Sequence, residues 1–294
     1  MSHLHPKLLE RLQYVWLVWR RLRDGLTASP RHRGPPAEPQ WTTSRDYCPG
    51  DDYRDVDWAF CARQDELLTR QCQGEIDSHA YLLLDCSCAM AVGEPSKLAA
   101  ARSVAAAAAY CALAESQRVG IYAFAERVVA GLVAVRGRSR FAKVLNLLDA
   151  ISPQPAAADL PVAARALVRQ RQRPGPTVVI SGTYDLPGLQ RGLENLSYHG
   201  YCPRLVRLYD AQEAAPDMLG DVELFDVETG QARLVTVTER DLKYYSQLYA
   251  EFCDHLRRYC ARRAIPYVEL CAGWPERELL LRAMGVRGLP AEKR

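Results

Sequence analysis

The chain alternates between short, continuously apolar runs and longer segments whose apolar residues recur every three or four positions. The clearest continuous runs are residues 80–84 and 177–180, and the clearest periodic segments are residues 4–26 and 139–149. A continuous apolar run suits a strand that is covered on both faces, whereas the longer period indicates a helix. Strands that alternate with helices predict an α/β protein with a doubly wound, mostly parallel sheet flanked by helices.

The same patterning places the individual elements. Strands are expected at residues 80–85, 119–124, 128–135, 177–181, 204–210 and 265–270. Helices are expected at residues 97–117, 139–149, 160–171, 239–263 and 276–284, with one more that Asp185-Leu186-Pro187 opens. Ser96 and Ser139 are expected as N-caps, since a serine hydroxyl can accept a hydrogen bond from the first turn. Two short β runs flank Glu228-Thr229-Gly230, which predicts a hairpin.

The first 44 residues are expected to form a separate arm. Residues 4–26 have the spacing of an amphipathic helix, and residues 27–44 are rich in Pro, Ser, Thr and Arg, as in a linker. Residues 1–40 carry seven Lys and Arg against three acidic residues. The helix either packs on its own domain or lies on a membrane surface or a partner, because Trp16 and Trp19 sit beside arginines.

Composition narrows the class of protein. With 48% hydrophobic and 25% charged residues, the chain resembles an ordinary soluble globular protein, and a net charge of +3 is too small to indicate nucleic-acid binding. The ten cysteines include no C-x-x-C pair, which argues against a zinc ribbon or a thioredoxin-like site. No apolar stretch near the start is long enough to span a bilayer. Several cysteines fall inside apolar strands or helices, where a free thiol behaves as a small hydrophobe, and this favours a reducing cytoplasm. We therefore expect a cytoplasmic protein without a transmembrane segment.

Residues 45–63 combine many charges in a short space. Asp51, Asp52, Asp55 and Asp57 lie within seven residues, and Arg54 stands among them. So many carboxylates are compatible with a cation site or an acid–base pair. The interleaved arginines favour a structural network instead, because a guanidinium can neutralise a carboxylate through two hydrogen bonds.

Polar residues follow two of the predicted strands. Asp85 and Ser87 come directly after the apolar run 80–84, and Ser181 and Gly182 come after the run 177–180. In open parallel sheets, ligands bind outside the carboxyl ends of the strands. These positions are therefore expected to line a binding crevice.

The sequence from Arg45 to Met90 resembles a large bacterial family known as domain of unknown function 58. The resemblance rests on a signature segment at residues 45–79, followed by Asp85-x-Ser87, Lys97-Leu98, Asp210 with Glu213, and Asp226-x-Glu228-Thr229-Gly230. The signature residues are Arg45, Tyr47, Gly50, Asp51, Asp52, Arg54, Asp57, Trp58 and Arg63. The resemblance implies that residues 80–285 form a domain like the von Willebrand factor type A domain, which is Rossmann-like, and leaves residues 286–294 as a tail.

The resemblance also implies a metal-ion-dependent adhesion site at the carboxyl edge of the sheet. In related domains, that site uses Asp-x-Ser-x-Ser, a threonine and a second aspartate. Here Asp85 and Ser87 match, but Ala89, Ala158 and Gly182 stand where the other three ligands are expected. Mg²⁺ gives up its waters reluctantly, so one carboxylate and one hydroxyl should hold it weakly.

We therefore expect a degenerate site without a metal or other cofactor, which serves as a partner-binding crevice. Its residues are expected to be Asp85, Ser87, Ala89, Asp159, Gly182, Thr183 and Asp185. A shifted magnesium site made of Asp85, Ser87, Asp159 and Asp185 is the alternative.

By resemblance, the protein is expected to work with a MoxR-type AAA+ ATPase on an unknown client in complex assembly or maturation. The chain has no G-x-x-x-x-G-K-[ST] loop, so nucleotide chemistry is assigned to the partner. Catalysis by Cys86 or Cys88 is disfavoured, because no histidine lies within local reach except His79 at the far end of the strand. Weak membrane-surface or nucleic-acid contact through the basic arm is a further alternative.

Overall fold

The computed structural model describes residues 12–14, 41–46, 61, 68–72, 78–182, 184–228 and 230–285. The chain divides into one compact unit of residues 1–27 and 78–294 and another of residues 28–77. The described part of the smaller unit contains an antiparallel pair of strands, β1 (Trp41–Asp46) and β2 (Leu68–Cys72).

The larger unit is organised around a six-stranded sheet in the order β10-β7-β6-β3-β4-β5. Its strands are β3 (His79–Asp85), β4 (Arg118–Phe124), β5 (Val128–Arg136), β6 (Pro176–Ser181), β7 (Cys202–Tyr209) and β10 (Tyr267–Cys271). All neighbours pair in parallel except β5, which runs antiparallel to β4 at one edge. Between β7 and β10, β8 (Gly220–Phe225) and β9 (Ala232–Val237) form a two-stranded sheet of their own. The predicted fold class, α/β with a doubly wound and mostly parallel sheet, is confirmed.

Helices cover both faces of this sheet. They are α1 (Lys97–Ala114), α2 (Phe141–Ala150), α3 (Leu160–Arg169), α4 (Leu186–Tyr198), the single turn α5 (Ala211–Ala214), α6 (Glu239–Arg262) and α7 (Glu276–Ala283). Side chains of β3 alternate between two buried clusters, one shared with α1, α2 and α7 and the other with α3, α4 and α6. This is why residues 80–84 are apolar without interruption.

Helix α1 lies in the core of this unit. Ser96 caps it as predicted, accepting a hydrogen bond from the backbone N–H of Ala99 at 3.2 Å. By length and composition α1 could cross a membrane, but 67% of it is buried within the domain. Alanine has high helix propensity and lets the backbone approach the sheet closely, so we interpret α1 as a core helix.

Two differences from the sequence-based expectations are local. Ser139 does not cap α2: a 3₁₀ turn at Arg138–Arg140 precedes the helix, and no side chain caps its first residues. Gly137, at φ 92°, starts this turn and shifts the helix start to the buried Phe141. The other helix and strand ends move by up to three residues.

Only residues 12–14 of the predicted N-terminal helix are described, and they are helical. Leu12 is buried in the cluster that contains α1 and α7 residues. The Tyr14 hydroxyl accepts a hydrogen bond from Arg277 at 3.2 Å, and the guanidinium lies over the ring. For these residues, the contacts favour packing on the domain over a free arm.

Candidate functional site

Asp85 and Ser181 end two adjacent parallel strands, and the register that pairs Leu84 with Ile180 brings them together. The Ser181 hydroxyl donates a hydrogen bond of 2.5 Å to Asp85 Oδ2, and the Ser87 backbone N–H donates one of 2.8 Å to Oδ1. All three residues are buried. The expected meeting of these strand ends therefore occurs, but inside the protein rather than on an open surface.

Burial raises the pKa of Asp85 above its ordinary value, because a carboxylate loses its hydration there. Hydrogen bonds from Ser181, from the backbone and hydroxyl of Ser87 and from the Gly182 backbone act in the opposite direction and offset part of the rise. Both carboxylate oxygens are thus engaged by protein groups. Asp85, Ser87 and Ser181 form a closed cluster at the carboxyl edge of the sheet.

Gly182, directly after this cluster, is tightly packed, so a side chain there would require its neighbours to shift. A Cβ placed there lies 3.1 Å from Met90 Sδ and 3.2 Å from the Leu208 carbonyl oxygen. Ala89 lies in the 3₁₀ turn Cys88–Ala91 and is half-buried. Neither position contributes a side-chain oxygen.

Lys97 occupies the space beside Gly182. Its Cδ lies 3.5 Å from the position of a Cβ on Gly182, and the side chain is only 1% exposed. Its ammonium forms an ion pair with Glu213. The other Glu213 oxygen accepts hydrogen bonds from the Tyr184 hydroxyl at 3.1 Å and the Asp210 N–H at 3.2 Å. A buried cation therefore stands next to the closed cluster.

Lys97 and Glu213 belong to the family resemblance but are not among the residues predicted for the site. One feature of the sequence could have drawn attention to Lys97. It is the first residue of an alanine-rich helix, where a positive charge is unfavourable beside the helix dipole. Such a lysine requires a compensating anion. The sequence alone does not reveal that Glu213, 116 residues away, supplies it.

A second buried cation, Arg207, lies in β7. Its guanidinium carbon is between 5.1 and 5.9 Å from the ring centroids of Tyr184, Tyr209, Tyr249 and Phe252. Its Nη1 donates a hydrogen bond of 3.3 Å to the Tyr249 hydroxyl. Burial lowers the pKa of Arg207, but this hydrogen bond and nearby tyrosines outweigh it, so the pKa is raised overall. The side chain fills the space beneath α6.

Asp159 and Asp185 lie at the N-termini of α3 and α4. Asp159 Oδ1 accepts a hydrogen bond of 2.9 Å from the Val162 N–H, and Asp185 Oδ1 accepts one of 3.1 Å from the Gly188 N–H. Both residues are therefore N-caps. They line an open cleft of about 570 Å³ together with Glu126, Arg165 and Arg191, which are exposed. We call this space, which these five residues line together with others, the cleft.

The closed cluster and the cleft are neighbours on the same edge. The loop after β3 bonds to the segment that borders the cleft, through Gln154 N–H to the Cys86 carbonyl at 2.7 Å and Cys88 N–H to the Ala156 carbonyl at 3.2 Å. The predicted crevice residues thus divide into two groups. Asp85, Ser87 and Gly182 are buried, whereas Asp159 and Asp185 face the cleft.

Several predicted site residues lie outside the described residues. They are Thr183 and, in the signature segment, Tyr47, Gly50, Asp51, Asp52, Arg54, Asp57, Trp58 and Arg63. Arg45 lies in β1. The predicted network of arginines and carboxylates therefore stays a prediction.

Cys86 is a poor candidate nucleophile. Burial raises the pKa of its thiol to about 12, with a further contribution from the charge of Asp85. Its thiol donates a hydrogen bond to the Phe124 carbonyl at 3.2 Å. Among the residues that the structure describes, no group of three or more His, Cys, Asp and Glu side chains is arranged to hold a metal ion.

Comparison with known proteins places the chain in a family. Residues 43–251 match the family described as protein of unknown function DUF58. The chain belongs to the DUF58 family. Uncharacterized proteins of Mycobacterium bovis and Mycobacterium tuberculosis are each 30% identical to this DUF58 protein over 235 residues, covering 78% of its chain and 73% of theirs. The predicted resemblance is confirmed.

Two solved structures are similar to this DUF58 protein. The conserved hypothetical protein BatB from Bacteroides thetaiotaomicron has 13% identity and a TM-score of 0.44, covering 71% of this chain and 97% of that one. An aerotolerance-related membrane protein from Bacteroides fragilis has 15% identity and a TM-score of 0.42, covering 71% and 98%.

Proposed function

We propose that this DUF58 protein is a non-enzymatic protein-interaction module with a degenerate metal-ion-dependent adhesion site, working with a MoxR-type AAA+ ATPase in the assembly or maturation of a client. The observation that carries the proposal is the closed cluster. Asp85, the one carboxylate left at the metal position, is fully buried and accepts hydrogen bonds from protein groups at both oxygens.

The donor set does not fit a hard divalent cation. Mg²⁺ requires near-octahedral oxygen ligation, and Ala89, Ala158 and Gly182 bring no side-chain oxygen. Gly182 is packed against Met90 and Leu208, so a longer side chain there would be crowded unless these neighbours shift. The buried Lys97 side chain passes beside Gly182, and its ammonium pairs with Glu213. These features support a site that operates without a metal.

The cleft is the docking surface that this proposal assigns. Arg165 and Arg191 are exposed there, and a guanidinium can hold a partner's carboxylate through two parallel hydrogen bonds. In this scheme, arginines bind the partner's acidic side chain directly. Asp159 and Asp185 already cap helices, which counts against the alternative in which they move to bind magnesium.

We also propose a non-enzymatic role and a cytoplasmic location for this protein. A non-enzymatic role is supported by the buried thiol of Cys86, whose pKa of about 12 disfavours the reactive thiolate. A cytoplasmic location is supported by the cysteine usage alone.

Calorimetric titration of the full-length protein with Mg²⁺ and Mn²⁺ tests the metal part of the proposal. We expect no binding tighter than about 1 mM, the weak end of the range for oxygen-ligated divalent sites. Tighter binding that Asp85→Ala abolishes would contradict the degenerate site. Asp159→Asn serves as a parallel variant, because loss of metal binding there would indicate shifted ligands.

Co-purification of tagged protein from its native cell tests the partner. We expect an AAA+ ATPase to be recovered with the wild-type protein and lost from Arg165→Glu/Arg191→Glu. Arg169→Glu, an exposed arginine of α3 that does not line the cleft, is the matched control. Absence of any AAA+ ATPase from the wild-type sample contradicts the partnership. Equal recovery with the double variant contradicts the assignment of the cleft as the docking surface.

A further inference from the structure

The β8–β9 hairpin forms a sheet of its own, separate from the six-stranded sheet. β8 (Gly220–Phe225) pairs antiparallel with β9 (Ala232–Val237). Asp226 closes the turn, accepting a hydrogen bond from the Glu228 N–H at its side chain and one from the Gly230 N–H at its carbonyl. Gly230 has φ +70°, which suits glycine.

No residue of the two strands is buried. An isolated two-stranded hairpin is marginally stable in water and usually needs a packing surface. Eight of the fourteen exposed large apolar side chains among the described residues lie between Leu219 and Leu248, although that stretch is about a tenth of the chain. Four of these eight, Leu224, Phe225, Val227 and Leu234, lie in the hairpin itself, so the hairpin carries an exposed apolar surface.

One face of the hairpin combines apolar and acidic side chains. The register places Glu223 opposite Leu234 and Phe225 opposite Ala232, so these four residues share a face. Phe225 is 66% exposed and Leu234 is 78% exposed. Asp221 lies on the same face and accepts a hydrogen bond of 2.6 Å from Thr236. We call this the hairpin face.

The hairpin is acidic, although the whole chain is slightly basic. Residues 217–237 contain five carboxylates and one arginine, a net charge of −4, whereas the whole chain carries +3. Two copies of the hairpin face would bring like charges together, which costs free energy across an interface. Its charge therefore disfavours self-association and favours a positively charged partner.

From these observations, we propose that the hairpin face binds a basic protein segment that also carries apolar side chains. Phe225 and Leu234 supply the apolar contact, and Asp221 and Glu223 attract the segment's lysines or arginines. The two outer strand edges have no strand neighbour in the described part of the chain, so an extended segment can add main-chain hydrogen bonds there. This surface is distinct from the cleft and does not depend on it.

The test uses two labelled synthetic peptides, one alternating lysine with leucine and one alternating glutamate with leucine. Fluorescence anisotropy measures their binding to the full-length protein at low and high salt. We expect the lysine peptide to bind and to weaken with salt, because exposed charges are screened. We expect the glutamate peptide not to bind.

Two hairpin variants and one control separate the contributions. Phe225→Ser/Leu234→Ser keeps the charge and removes the apolar contact, and Glu223→Lys reverses one charge. Each should raise the dissociation constant of the lysine peptide at least about tenfold, the equivalent of 1.4 kcal/mol. Val133→Ser in β5, which is 61% exposed, is the matched control and should leave binding unchanged. Because no strand residue of the hairpin is buried and Val133 is exposed, thermal melting should be unaffected in the two hairpin variants and in the control.

Three outcomes overturn the proposal. Equal binding of both peptides removes the charge argument, and unchanged binding by the hairpin variants places the contact elsewhere. A dimer in sedimentation that Phe225→Ser/Leu234→Ser dissociates makes a second copy of the chain the occupant instead.

Discussion

Two neighbouring parts of one sheet edge differ in where their polar groups are satisfied. In the closed cluster, the Asp85 oxygens accept hydrogen bonds from residues of the same domain, and the side chain is fully buried. In the cleft, Arg165 and Arg191 are exposed to solvent. We therefore expect the closed cluster and the cleft to control different properties of the protein. Substitutions in the closed cluster should change folding stability, and substitutions in the cleft should change binding.

The largest effect is expected from Lys97→Met, which keeps much of the side-chain volume but removes the buried charge. Glu213 then lacks its cation partner, although Tyr184 and the Asp210 N–H still contact it. Removing one member of a buried ion pair costs about 3–5 kcal/mol. Because Glu213 is only partly buried, we expect a loss near the lower end, about 3 kcal/mol, in urea unfolding.

The double variant Lys97→Met/Glu213→Gln controls for the unpaired carboxylate. It should be more stable than Lys97→Met alone, since no uncompensated charge is left in the interior. A loss below about 1 kcal/mol in the single variant, a value typical of exposed pairs, contradicts the burial of this ion pair.

Gly182→Asp introduces the aspartate that the proposed adhesion-site resemblance expects at this position, and we expect that it still does not create a metal site. The new side chain meets Met90 Sδ and the Leu208 carbonyl, and overpacking of this kind costs about 1–3 kcal/mol. We expect reduced stability in urea and no gain in Mg²⁺ binding by calorimetry. Ala89→Ser, at a half-buried position, should cost less than about 1 kcal/mol. Submillimolar Mg²⁺ binding by Gly182→Asp contradicts the closed arrangement.

Much of this edge could be predicted from sequence, because it depends on local patterns. The continuous apolar runs locate β3 and β6, and parallel register then requires Asp85 and Ser181 to meet. The partner-binding role predicted for Asp85, Ser87 and Gly182 stays a prediction, and the structure shows that all three residues are buried. The closed cluster is buried partly because Lys97 and Met90 fill the space beside Gly182. Sequence patterns do not specify such long-range packing.

The arginines of the cleft were missed for a related reason. Arg165 and Arg191 lie on the helices α3 and α4, where an isolated arginine resembles any solvated surface residue. Their approach to one cleft depends on how the two helices pack, which no local pattern encodes. Asp159 and Asp185 were identified because they precede the helices directly, and the structure assigns them as N-caps.

Asp85→Asn should change how stability depends on pH. The pKa of Asp85 is raised in the folded state by burial, so the folded protein holds this proton more tightly than the unfolded chain does. Its contribution to stability is therefore fully present below the unfolded value of 3.8 and is lost as pH rises through the folded pKa. Asparagine cannot ionise, so the Asp85→Asn variant does not lose stability in this way as pH rises.

The measurement is urea unfolding of both proteins from pH 3.5 to 7. The stability of the wild-type protein relative to Asp85→Asn should fall as pH increases over this range. A difference that is independent of pH, or that grows in favour of the wild type, contradicts the raised pKa.

The smallest effect on stability is expected from substitutions in the cleft. Arg165→Ala and Arg191→Ala remove exposed side chains, so each should shift the free energy of unfolding by no more than about 0.5 kcal/mol. Arg169→Ala, on the same helix as Arg165 but outside the cleft, gives the baseline for removing an exposed arginine. If Arg165→Ala or Arg191→Ala destabilises the protein as strongly as Lys97→Met does, the cleft arginines are structural. The separation between a closed side that stabilises and an open side that binds is then wrong.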